Sequence, residues 1–528
     1  MRREIDFSLY LVTGRELLPP GKDYFESIQE SLEGGVTVVQ VREKTADTAE
    51  FLDIALKTKE LCQKYDVPLI INDRLDIALA VKADGVHLGQ TDMPVSVARQ
   101  LLPAGTIIGV SCNNADHVKN AISEGVDYVG IGAVWGTATK KLTSPIIGVR
   151  GVGALLRELD NTGLKAVAIG GIKGANALRT LHGTVSTTGH GLDGVAVVSD
   201  IAGSTKPRDA ARTLRDTVSA FKEQLQNELQ ASINVSYAKK DVLTSVSKLL
   251  NNVKAYKPLI HQITNNVVTT QSANATLALG ASPIMATAPE EMKDLSRVLG
   301  ALLVNFGTIT SKEGMLLAGQ FANEEKKPLV FDPVGVGATD FRRTTAAQLL
   351  NTWQASVIKG NAGELAALAD SKEVQAKGVD TSGTGFSDPA SFVKSLARKE
   401  RCIIVLTGST DWISDGNVVI RLDNGHPMLG DITGSGCMLG TCIATFCAGA
   451  YLKAVEDEPI SERSLSTIVR GDMLLGAVGG VLALTIASEI AAQRVDVRGT
   501  GTFFPALIDE LYHLTPDKLT QLAKIQIL

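Results

Sequence analysis

Two cations and an amide alternate along one short stretch of this 528-residue chain. Gln40, Arg42 and Lys44 are spaced by two residues, so an extended strand places their side chains on one face. That combination suits a diphosphate. Asp73 and Asp92 follow later apolar runs, and carboxylates are hard oxygen ligands. The two carboxylates and the substrate phosphates together predict a Mg²⁺ site.

The same half of the chain predicts a second phosphate site. The run TATK offers the hydroxyls of Thr137 and Thr139 and the ammonium of Lys140. Gly170-Gly171 and Val198-Ser199 follow two later apolar runs. Backbone N–H groups at such places commonly bind a phosphomonoester. We therefore expect a Mg²⁺-diphosphate and a separate monophosphate on one face.

A glycine-rich turn is the most informative feature of the second half. Gly434, Ser435 and Gly436 precede a long apolar helix, whose first N–H groups and positive dipole end can face an anion. A tight buried turn is the alternative interpretation of these glycines. The turn lacks the lysine of a Walker loop and the strand and acidic partner of a dinucleotide fingerprint.

Eight apolar runs rich in β-branched residues must position the residues of the first half. Runs of this kind are typical of parallel strands covered on both faces. Eight of them alternating with helices predict a (β/α)8 TIM barrel, in which the polar carboxyl ends share one face. The runs are SLYLVT, VTVVQVRE, PLIINDR, GVHLGQ, IIGVSC, YVGIGAVW, KAVAIGG and GVAVVSD.

The pattern of predicted strands and helices changes from about Asp241. A strand, a helix and a further strand are predicted within HQITNNVVTTQSANATLALGASPIM. Four more runs each precede a helical stretch, namely ALLVNFG, PLVFDPV, SVIKGN and CIIVLTG. This order predicts an open, doubly wound α/β sheet rather than a second barrel.

Length and composition agree with two globular α/β domains. A chain of 528 residues exceeds one ordinary core, and 44% hydrophobic with 21% charged residues is not the composition of a disordered chain. The net charge of −5 argues against nucleic-acid binding. The six cysteines lack zinc-site spacing, which favours a reducing compartment. No signal-peptide core follows Met1, and residues 473–486 form an apolar stretch too short for a membrane span, so we expect a cytoplasmic protein without membrane contact.

The junction between the halves is short. Apolar residues at helical spacing predict the last barrel helix, and they are Ala210, Leu214, Val218, Phe221 and Leu225. The irregular ASINVSYAKKD that follows is not a long Gly/Ser tether. We predict domains over residues 1–229 and 241–528 and a linker over residues 230–240.

In its motifs the first half resembles thiamine phosphate synthase, along residues 1 to about 228. The strings are QVREK, INDRLDIA, GVHLGQTD, GVSC, GTATK, AIGGI and GVAVVSDI. That family joins a hydroxymethylpyrimidine diphosphate to a thiazole phosphate and releases pyrophosphate. The resemblance implies that the pyrimidine diphosphate is bound by Gln40, Val41, Arg42, Glu43, Lys44, Asn72, Ser111 and Lys140. It implies Mg²⁺ at Asp73 and Asp92, and the thiazole phosphate at Thr137, Ala138, Thr139, Gly171, Val198 and Ser199.

The implied chemistry needs no general base. Loss of pyrophosphate from an electron-rich aminopyrimidine leaves a stabilised carbocation. The enzyme then mainly neutralises the leaving group and positions the thiazole nitrogen. His87 ends a strand, and we expect it to orient a neighbouring carboxylate; a catalytic role is the alternative.

The second half resembles hydroxyethylthiazole kinase, a ribokinase-like family, over residues 240–528. The strings are HQITNN, ALGASPIM, NFGT, DPVGVGAT, KGNAGE, LTG and GDITGSGC. The resemblance implies that Asn265, Met285 and Gly434 contact the thiazole substrate. It implies that Lys359 and Thr407 bind ATP, and that Glu364 with Asp332 organises Mg²⁺ and its waters. Trimers with sites at subunit boundaries form in such kinases, so we expect a homo-oligomer, a trimer or a hexamer.

Two residues of this half have competing interpretations. Cys437 stands where many ribokinase-like relatives carry an aspartate base, and a helix N-terminus can stabilise a thiolate. We favour Cys437 as proton acceptor; a small buried hydrophobe is the alternative. Met285 is interpreted as a soft wall against a sulfur heterocycle, with plain core packing as the alternative.

Two other interpretations of the whole chain compete with this one. A phosphosugar-processing barrel fused to a sugar kinase would have the same two folds. However, a phosphosugar isomerase needs no diphosphate site, and the QVREK string together with Asp73 and Asp92 predicts such a site. A chain with one degraded sensor half conflicts with charged sites on both halves. We therefore expect a bifunctional transferase of thiamine biosynthesis that acts on small molecules, with ATP as co-substrate and Mg²⁺ as cofactor.

Overall fold

The chain forms two compact units: the first covers Met1–Gln230 and Glu462–Ser466, and the second covers Ala231–Ser461 and Thr467–Leu528. The computed structural model describes residues 5–137, 139, 144–231, 238–377, 380–382, 385–458 and 465–528. Residues 232–237 of the predicted linker, Ala138 and Lys140 lie outside these ranges. The predicted domain limits stay predictions.

Eight parallel strands close into a barrel in the first unit. Each strand pairs with the next, and Leu9 of the first strand pairs with Val195 of the last. The strands are β1 Leu9–Val12, β2 Val38–Val41, β3 Leu69–Asn72, β4 Gly85–Leu88, β5 Ile107–Cys112, β6 Tyr128–Ile131, β7 Lys165–Ile169 and β8 Gly194–Val197. Each lies within one of the eight predicted apolar runs, so the predicted TIM barrel is confirmed.

Helices cover the outside of the barrel. Several begin at a side-chain cap: Asp23 accepts a hydrogen bond from Glu26 N–H, Asp47 from Glu50 N–H, and Asn114 from His117 N–H. The helices are α1 Tyr24–Glu33, α2 Thr48–Lys64, α3 Leu75–Val81, α4 Val95–Leu101, α5 Ala115–Ser123, α6 Gly148–Arg157, α7 Gly174–Gly183, α8 Ser199–Ala202 and α9 Pro207–Ala231. A short 3-10 helix spans Arg15–Leu17.

The strands alternate between two cores, as a period of two requires. Inward side chains such as Tyr10 and Tyr128 fill the barrel interior. Outward ones such as Leu11 and Val39 pack against the helices. The predicted apolar face of α9 is confirmed, since Leu214, Val218 and Phe221 are buried.

A nine-stranded mixed sheet organises the second unit. Its order is β10-β9-β11-β12-β13-β16-β17-β18-β19, parallel as far as β16 and antiparallel beyond. The strands are β9 Leu259–Ile263, β10 Ser282–Ile284, β11 Ala301–Asn305, β12 Leu329–Asp332, β13 Val357–Asn361, β16 Ile403–Thr407, β17 Asp411–Ser414, β18 Val419–Leu422 and β19 Ile525–Ile527. The six parallel strands match the predicted runs, whereas the antiparallel extension was not predicted.

Helices lie on both faces of this sheet, as a doubly wound fold requires. They are α10 Lys239–Tyr256, α11 Thr269–Ala278, α12 Met292–Val298, α13 Lys312–Glu324, α14 Asp340–Thr352, α15 Ala362–Ala369, α16 Pro389–Glu400, α17 Ser435–Asp457, α18 Met473–Ala492, α19 Thr500–Tyr512 and α20 Pro516–Leu522. Short 3-10 helices span Pro289–Glu291 and Pro427–Leu429, and β14 Gln375–Lys377 pairs with β15 Asp380–Ser382.

Two apolar helices, α17 and α18, pack against each other in the core of this unit. Both are long and apolar enough to cross a membrane by length and composition, yet most of their residues are buried inside the unit. The prediction for residues 473–486 was therefore right about burial and wrong about length, because α18 continues to Ala492. Burial on all sides is the reason why an apolar helix shows no amphipathic pattern in its sequence.

Candidate active sites

Strand β2 ends at Val41, so Arg42 and Lys44 lie in the loop after it, whereas one extended strand through Gln40, Arg42 and Lys44 was predicted. Gln40 is buried and donates to Tyr10 OH at 2.7 Å, the side chain of Arg42 is 17% exposed, and that of Lys44 is 50% exposed. Val41 lies in the outer core. The Glu43 side chain pairs with Arg15, with Nε and Oε2 3.1 Å apart. Exposure thus rises from Gln40 to Lys44 toward the carboxyl end of the barrel.

Lys44, Asp73 and Asp92 form a charged cluster at that end. Lys44 Nζ forms an ion pair with Asp73 Oδ2, and Asp92 Oδ2 accepts from Gly89 N–H at 2.7 Å. Burial opposes the charge of Asp73, but hydrogen bonds from Lys44 and Asp92 lower its pKa. Burial and the Asp73 carboxyl raise the pKa of Asp92. Two crowded carboxylates fit a divalent cation, whose charge would favour ionisation of both.

A metal ion bound by Asp73 and Asp92 would need further ligands in addition to these two carboxylates. Within the described parts of the chain, no group of three or more histidine, cysteine, aspartate or glutamate side chains is placed to hold a metal ion. Two carboxylates completed by substrate phosphates and water are, however, the usual Mg²⁺ arrangement.

A buried hydrogen-bond chain links two of the predicted pyrimidine-diphosphate residues. From Gln40 it runs through Tyr10 OH to Tyr128 OH at 2.7 Å, and on to His87 Nδ1 at 2.9 Å. The other ring nitrogen of His87, Nε2, lies 2.9 Å from Ser111 Oγ. The two ring nitrogens of His87 therefore contact hydroxyl groups, whereas a carboxylate partner was expected. Sequence analysis missed both tyrosines, because a tyrosine in an apolar strand looks like core.

Asn72 is buried at the end of β3, next to Asp73. Its register partner on β4 is His87, so it lies beside the same chain. The two residues therefore place an amide and an imidazole at adjacent strand ends.

The loops after β6, β7 and β8 adjoin one another at the predicted thiazole-phosphate site. Thr137 and Thr139 hydroxyls are 2.7 Å apart. A Cβ on Gly171, at φ +66°, would lie 2.4 Å from the carbonyl oxygen of Gly136, so only glycine allows this approach. Gly174 N–H donates to Asp200 Oδ2 at 2.8 Å. This bond joins the end of the β7 loop to α8, the helix that Val198 precedes and Ser199 begins. Asp200 was missed by the sequence analysis.

In the second unit a polar chain crosses the carboxyl ends of the central strands. Asn265 Nδ2 donates to Asn305 Oδ1 at 2.8 Å, and Asn305 Nδ2 donates to Asp332 Oδ2 at 2.8 Å. Lys359 Nζ lies 3.0 Å from Asp332 Oδ1. Burial opposes the charge of Lys359, but the carboxylates of Asp332 and Glu364 raise its pKa. This lysine is therefore a fixed, buried cation. Asn305, a missed residue, is the bridge.

The glycine-rich turn brings the start of α17 onto this chain. A Cβ on Gly434, at φ +82°, would lie 2.3 Å from Val268 Cγ1, so the turn requires glycine. A Cβ on Gly436 would lie 3.4 Å from Lys359 Nζ. Cation and helix N-terminus thus face the same space, which is the electrostatic pattern of an anion site.

Cys437 lies on the first turn of α17, and its Sγ is 3.4 Å from Asn265 Nδ2. Burial and the nearby Asp332 raise the pKa of its thiol. These surroundings therefore favour the neutral thiol of Cys437 over the thiolate. The role of Cys437 as proton acceptor stays a prediction.

Glu364 is held by two backbone amides. Its Oε1 accepts from Gly335 N–H at 2.9 Å and its Oε2 from Asn361 N–H at 2.9 Å. Burial raises the pKa of this carboxyl. An ionised carboxylate has about four acceptor positions, so Mg²⁺-bound waters can still be accommodated.

The order of strands in the sheet places the predicted thiazole-binding and ATP-binding residues on different strands. Met285 follows the edge strand β10, and the next residue, Ala286, accepts from His261 Nε2 through its carbonyl at 2.9 Å. Thr407 ends β16, paired with Asn361 of β13. Asn265 and Met285 thus lie toward one side of the sheet, Lys359 and Thr407 toward the other, and α17 contacts the strands between them.

Comparison with known proteins agrees with this division. Residues 9–201 match the family model described as thiamine monophosphate synthase, and residues 250–517 match the hydroxyethylthiazole kinase family. A probable thiamine biosynthetic bifunctional enzyme of Schizosaccharomyces pombe is 38% identical, with 97% of this chain and 96% of the relative covered. The thiamine biosynthetic bifunctional enzyme of Saccharomyces cerevisiae is 36% identical over the same shares.

A single-function relative matches about half of the chain. The hydroxyethylthiazole kinase of Histophilus somni is 43% identical, with 53% of this chain and 98% of the relative covered. The chain therefore belongs to the family of bifunctional thiamine biosynthetic enzymes, with thiamine phosphate synthase in its barrel and hydroxyethylthiazole kinase in its second unit.

Proposed function

We propose that the barrel binds the pyrimidine diphosphate through Arg42, Lys44 and a Mg²⁺ held by Asp73 and Asp92. Bound there, the metal would neutralise charge on the leaving pyrophosphate. Arg42 and Lys44 add fixed positive charge beside it, and Gln40 and Ser111 orient the pyrimidine end through the buried hydrogen-bond chain. Asn72 and Lys140 complete this set, together with the backbone of Val41 and Glu43.

The thiazole phosphate is proposed to bind the loops after β6, β7 and β8, at Thr137, Ala138, Thr139, Gly171, Val198 and Ser199. Hydroxyls and backbone N–H groups there hold the monophosphate, so the thiazole nitrogen is positioned against the pyrimidine carbon. No proton transfer by the chain is needed for this step.

For the second unit we propose transfer of the ATP γ-phosphoryl group to the hydroxyl of hydroxyethylthiazole. Asn265, Met285 and Gly434 hold the thiazole, and Lys359 and Thr407 hold ATP. Asp332 and Glu364 would hold Mg²⁺ and its waters, which supply further charge neutralisation. Lys359 and the start of α17 stabilise the transferring group, and Cys437 accepts the hydroxyl proton.

The observation that carries the proposal is the pair of charged clusters, Lys44 with Asp73 and Asp92, and Lys359 with Asp332. Each lies at the carboxyl ends of parallel strands, where α/β proteins bind ligands. The two clusters belong to different units, so each can be disabled while the other activity serves as control.

The test uses Asp92→Asn and Glu364→Gln in the full chain. Asp92→Asn should lower pyrophosphate release by about a hundredfold or more and leave thiazole-dependent ADP formation unchanged. Glu364→Gln should lower ADP formation by about tenfold or more and leave the synthase unchanged. Exposed Asp116→Asn and Glu325→Gln are the matched controls. Wild-type rates in Asp92→Asn or Glu364→Gln would contradict the corresponding site.

A cytoplasmic homo-oligomer, a trimer or a hexamer, is proposed for the assembled enzyme. The relatives in the two yeasts are metabolic enzymes by name, which supports the first part. The predicted domains are residues 1–229 and 241–528, and limited proteolysis should cut first within residues 230–240.

A further inference from the structure

Two peptide units hold carboxylate and amide side chains of the kinase site through their N–H ends. The N–H between Phe306 and Gly307 donates to Asn305 Oδ1 at 2.9 Å. The N–H between Val334 and Gly335 donates to Glu364 Oε1 at 2.9 Å. These peptide units follow β11 and β12, two neighbouring strands of the sheet.

One guanidinium group binds the carbonyl ends of the same two peptide units. Arg342 Nη1 donates to Phe306 O and, at 2.8 Å, to Val334 O. Its Nη2 donates to Gly307 O at 3.1 Å. A cation on a carbonyl polarises the peptide, which strengthens the hydrogen bond that the N–H end donates.

The position of Arg342 is otherwise unfavourable. It is the third residue of α14, where the helix dipole disfavours a cation. Its own N–H donates to the cap Thr339 Oγ1 at 3.2 Å, so the side chain starts from a fixed backbone. Contacts with three carbonyl oxygens offset the dipole, which explains a cation at this place.

We propose that Arg342 is a positioning residue of the kinase, acting through these two peptide units on Asn305 and Glu364. Through Asn305 its effect extends to Asn265 and Asp332, which share the polar chain. The inference rests on the proposed function of Glu364 and of the polar chain.

Arg343 is a matched control on the same turn. It donates to Gly337 O at 2.7 Å and pairs with Asp340, but no described contact joins it to the two peptide units. Substitution there removes a similar side chain from the same helix.

The experiment compares Arg342→Ala, Arg342→Lys and Arg343→Ala in the full chain, with the synthase activity as internal control. Arg342→Ala should lower the kinase kcat by about tenfold to a hundredfold. Arg342→Lys should lie between it and wild type, because one ammonium cannot span three carbonyls in the geometry of a guanidinium. Millimolar guanidinium should restore part of kcat in Arg342→Ala. A merely destabilised unit would not recover, since guanidinium is a denaturant.

Kinetic constants of Arg342→Ala equal to those of Arg343→Ala would overturn the inference. So would a loss of kcat that neither lysine nor guanidinium restores and that parallels a lower unfolding temperature. If Arg342→Ala does not fold, Arg342→Lys decides: lowered kcat at an unchanged unfolding temperature supports the role, and wild-type constants refute it. If Glu364→Gln lowers the kinase kcat and the Arg342 variants keep the wild-type kcat, only the role of Arg342 is contradicted. If Glu364→Gln keeps the wild-type kcat, the proposed kinase site itself is contradicted.

Discussion

At the residue scale, burial decides what each ionisable group contributes. Lys359 is buried with Asp332 at 3.0 Å and stays charged, whereas Lys44 is half exposed beside Asp73. A buried ion pair keeps its geometry because losing either partner leaves an uncompensated charge. The kinase unit therefore has a rigid charged site, and the barrel has one that solvent and ligand can reach.

The role of Cys437 can be decided by comparison with a second cysteine of α17. If its thiol accepts the proton, Cys437→Ala should lower the kinase kcat by about tenfold or more, since general bases contribute at least that much. Cys442 is fully buried, and no described hydrogen bond joins it to the polar chain. Cys442→Ala should lower stability modestly and leave kcat unchanged. Near-wild-type turnover of Cys437→Ala would remove the proton-acceptor role and favour the small-hydrophobe interpretation.

Asp411 gives the kinase unit a pH-dependent stability. It is 4% exposed, it accepts from Gly408 N–H at 3.1 Å, and burial raises its pKa to about 7. The folded state thus holds a proton that the unfolded state has lost above about pH 4. Stability from this group is complete below pH 4 and falls as the pH rises toward 7.

Asp411→Asn should remove that dependence, because the amide is neutral and its oxygen can still accept from Gly408. Urea unfolding at pH 5 and pH 8 measures it. The free energy of unfolding of the variant, relative to wild type, should be higher at pH 8 than at pH 5. The increase should be about 1.4 kcal/mol for each pH unit between pH 5 and the folded-state pKa of Asp411. An equal difference at both pH values would show that Asp411 does not titrate in this range.

At the element scale, the start of α17 depends on one backbone conformation. Gly434 at φ +82° lets the helix begin beside Lys359, with Val268 buried against it. The carboxyl ends of β9, β11, β12 and β13 supply the facing side chains. The site therefore depends on the turn geometry as much as on side-chain identity.

Gly434→Ala should lower the kinase kcat/KM by about tenfold or more, because the new methyl overlaps Val268 and displaces the helix start. Gly385 at φ +83° has no atom within 4 Å of an added Cβ, so Gly385→Ala isolates the backbone strain, about 1 kcal/mol. Thiazole phosphorylation and thermal unfolding should be measured for both. Equal losses in the two variants would mean that strain alone, and not the overlap at α17, explains the defect.

At the scale of the whole molecule, subunit contacts of the kinase unit are expected near its substrate side. Val267 is 63% exposed two residues after Asn265, and Leu277 of α11 is 55% exposed. We propose that Val267 lies in a subunit interface of the proposed trimer or hexamer, because its exposed apolar side chain is close in sequence to Asn265.

Sedimentation should therefore give a trimer or a hexamer of the 55.8 kDa chain. Val267→Asp should shift it toward smaller species and lower kinase activity, because a buried unpaired charge is unfavourable. Val495→Asp, at a fully exposed valine of the same unit, is the control. A stable monomer with full kinase activity would contradict this assembly.

Much of this protein was determined by local sequence. Eight β-branched runs and six more in the second half predicted all fourteen parallel strands, because period and composition act within a few residues. The charged candidates were found for a related reason: parallel strands send their carboxyl ends to one edge, so polar residues there meet without knowledge of the packing. The antiparallel strands β17 and β18 were missed although they form a local hairpin, in which Ser414 pairs with Val419. Strand β19 was missed because it pairs with β18, about a hundred residues earlier in the chain.

Tertiary structure alone decided which neutral and structural residues complete the sites. Tyr10 and Tyr128 look like core residues in sequence, Asn305 looks like an ordinary strand end, and Asp200 and Arg342 look like ordinary helix residues. Their roles arise from hydrogen bonds to groups far away in sequence, such as Arg342 Nη1 to Val334 O and Tyr10 OH to Tyr128 OH. A hydrogen bond needs its two atoms within about 3 Å and aligned, and only the folded packing fixes such distances.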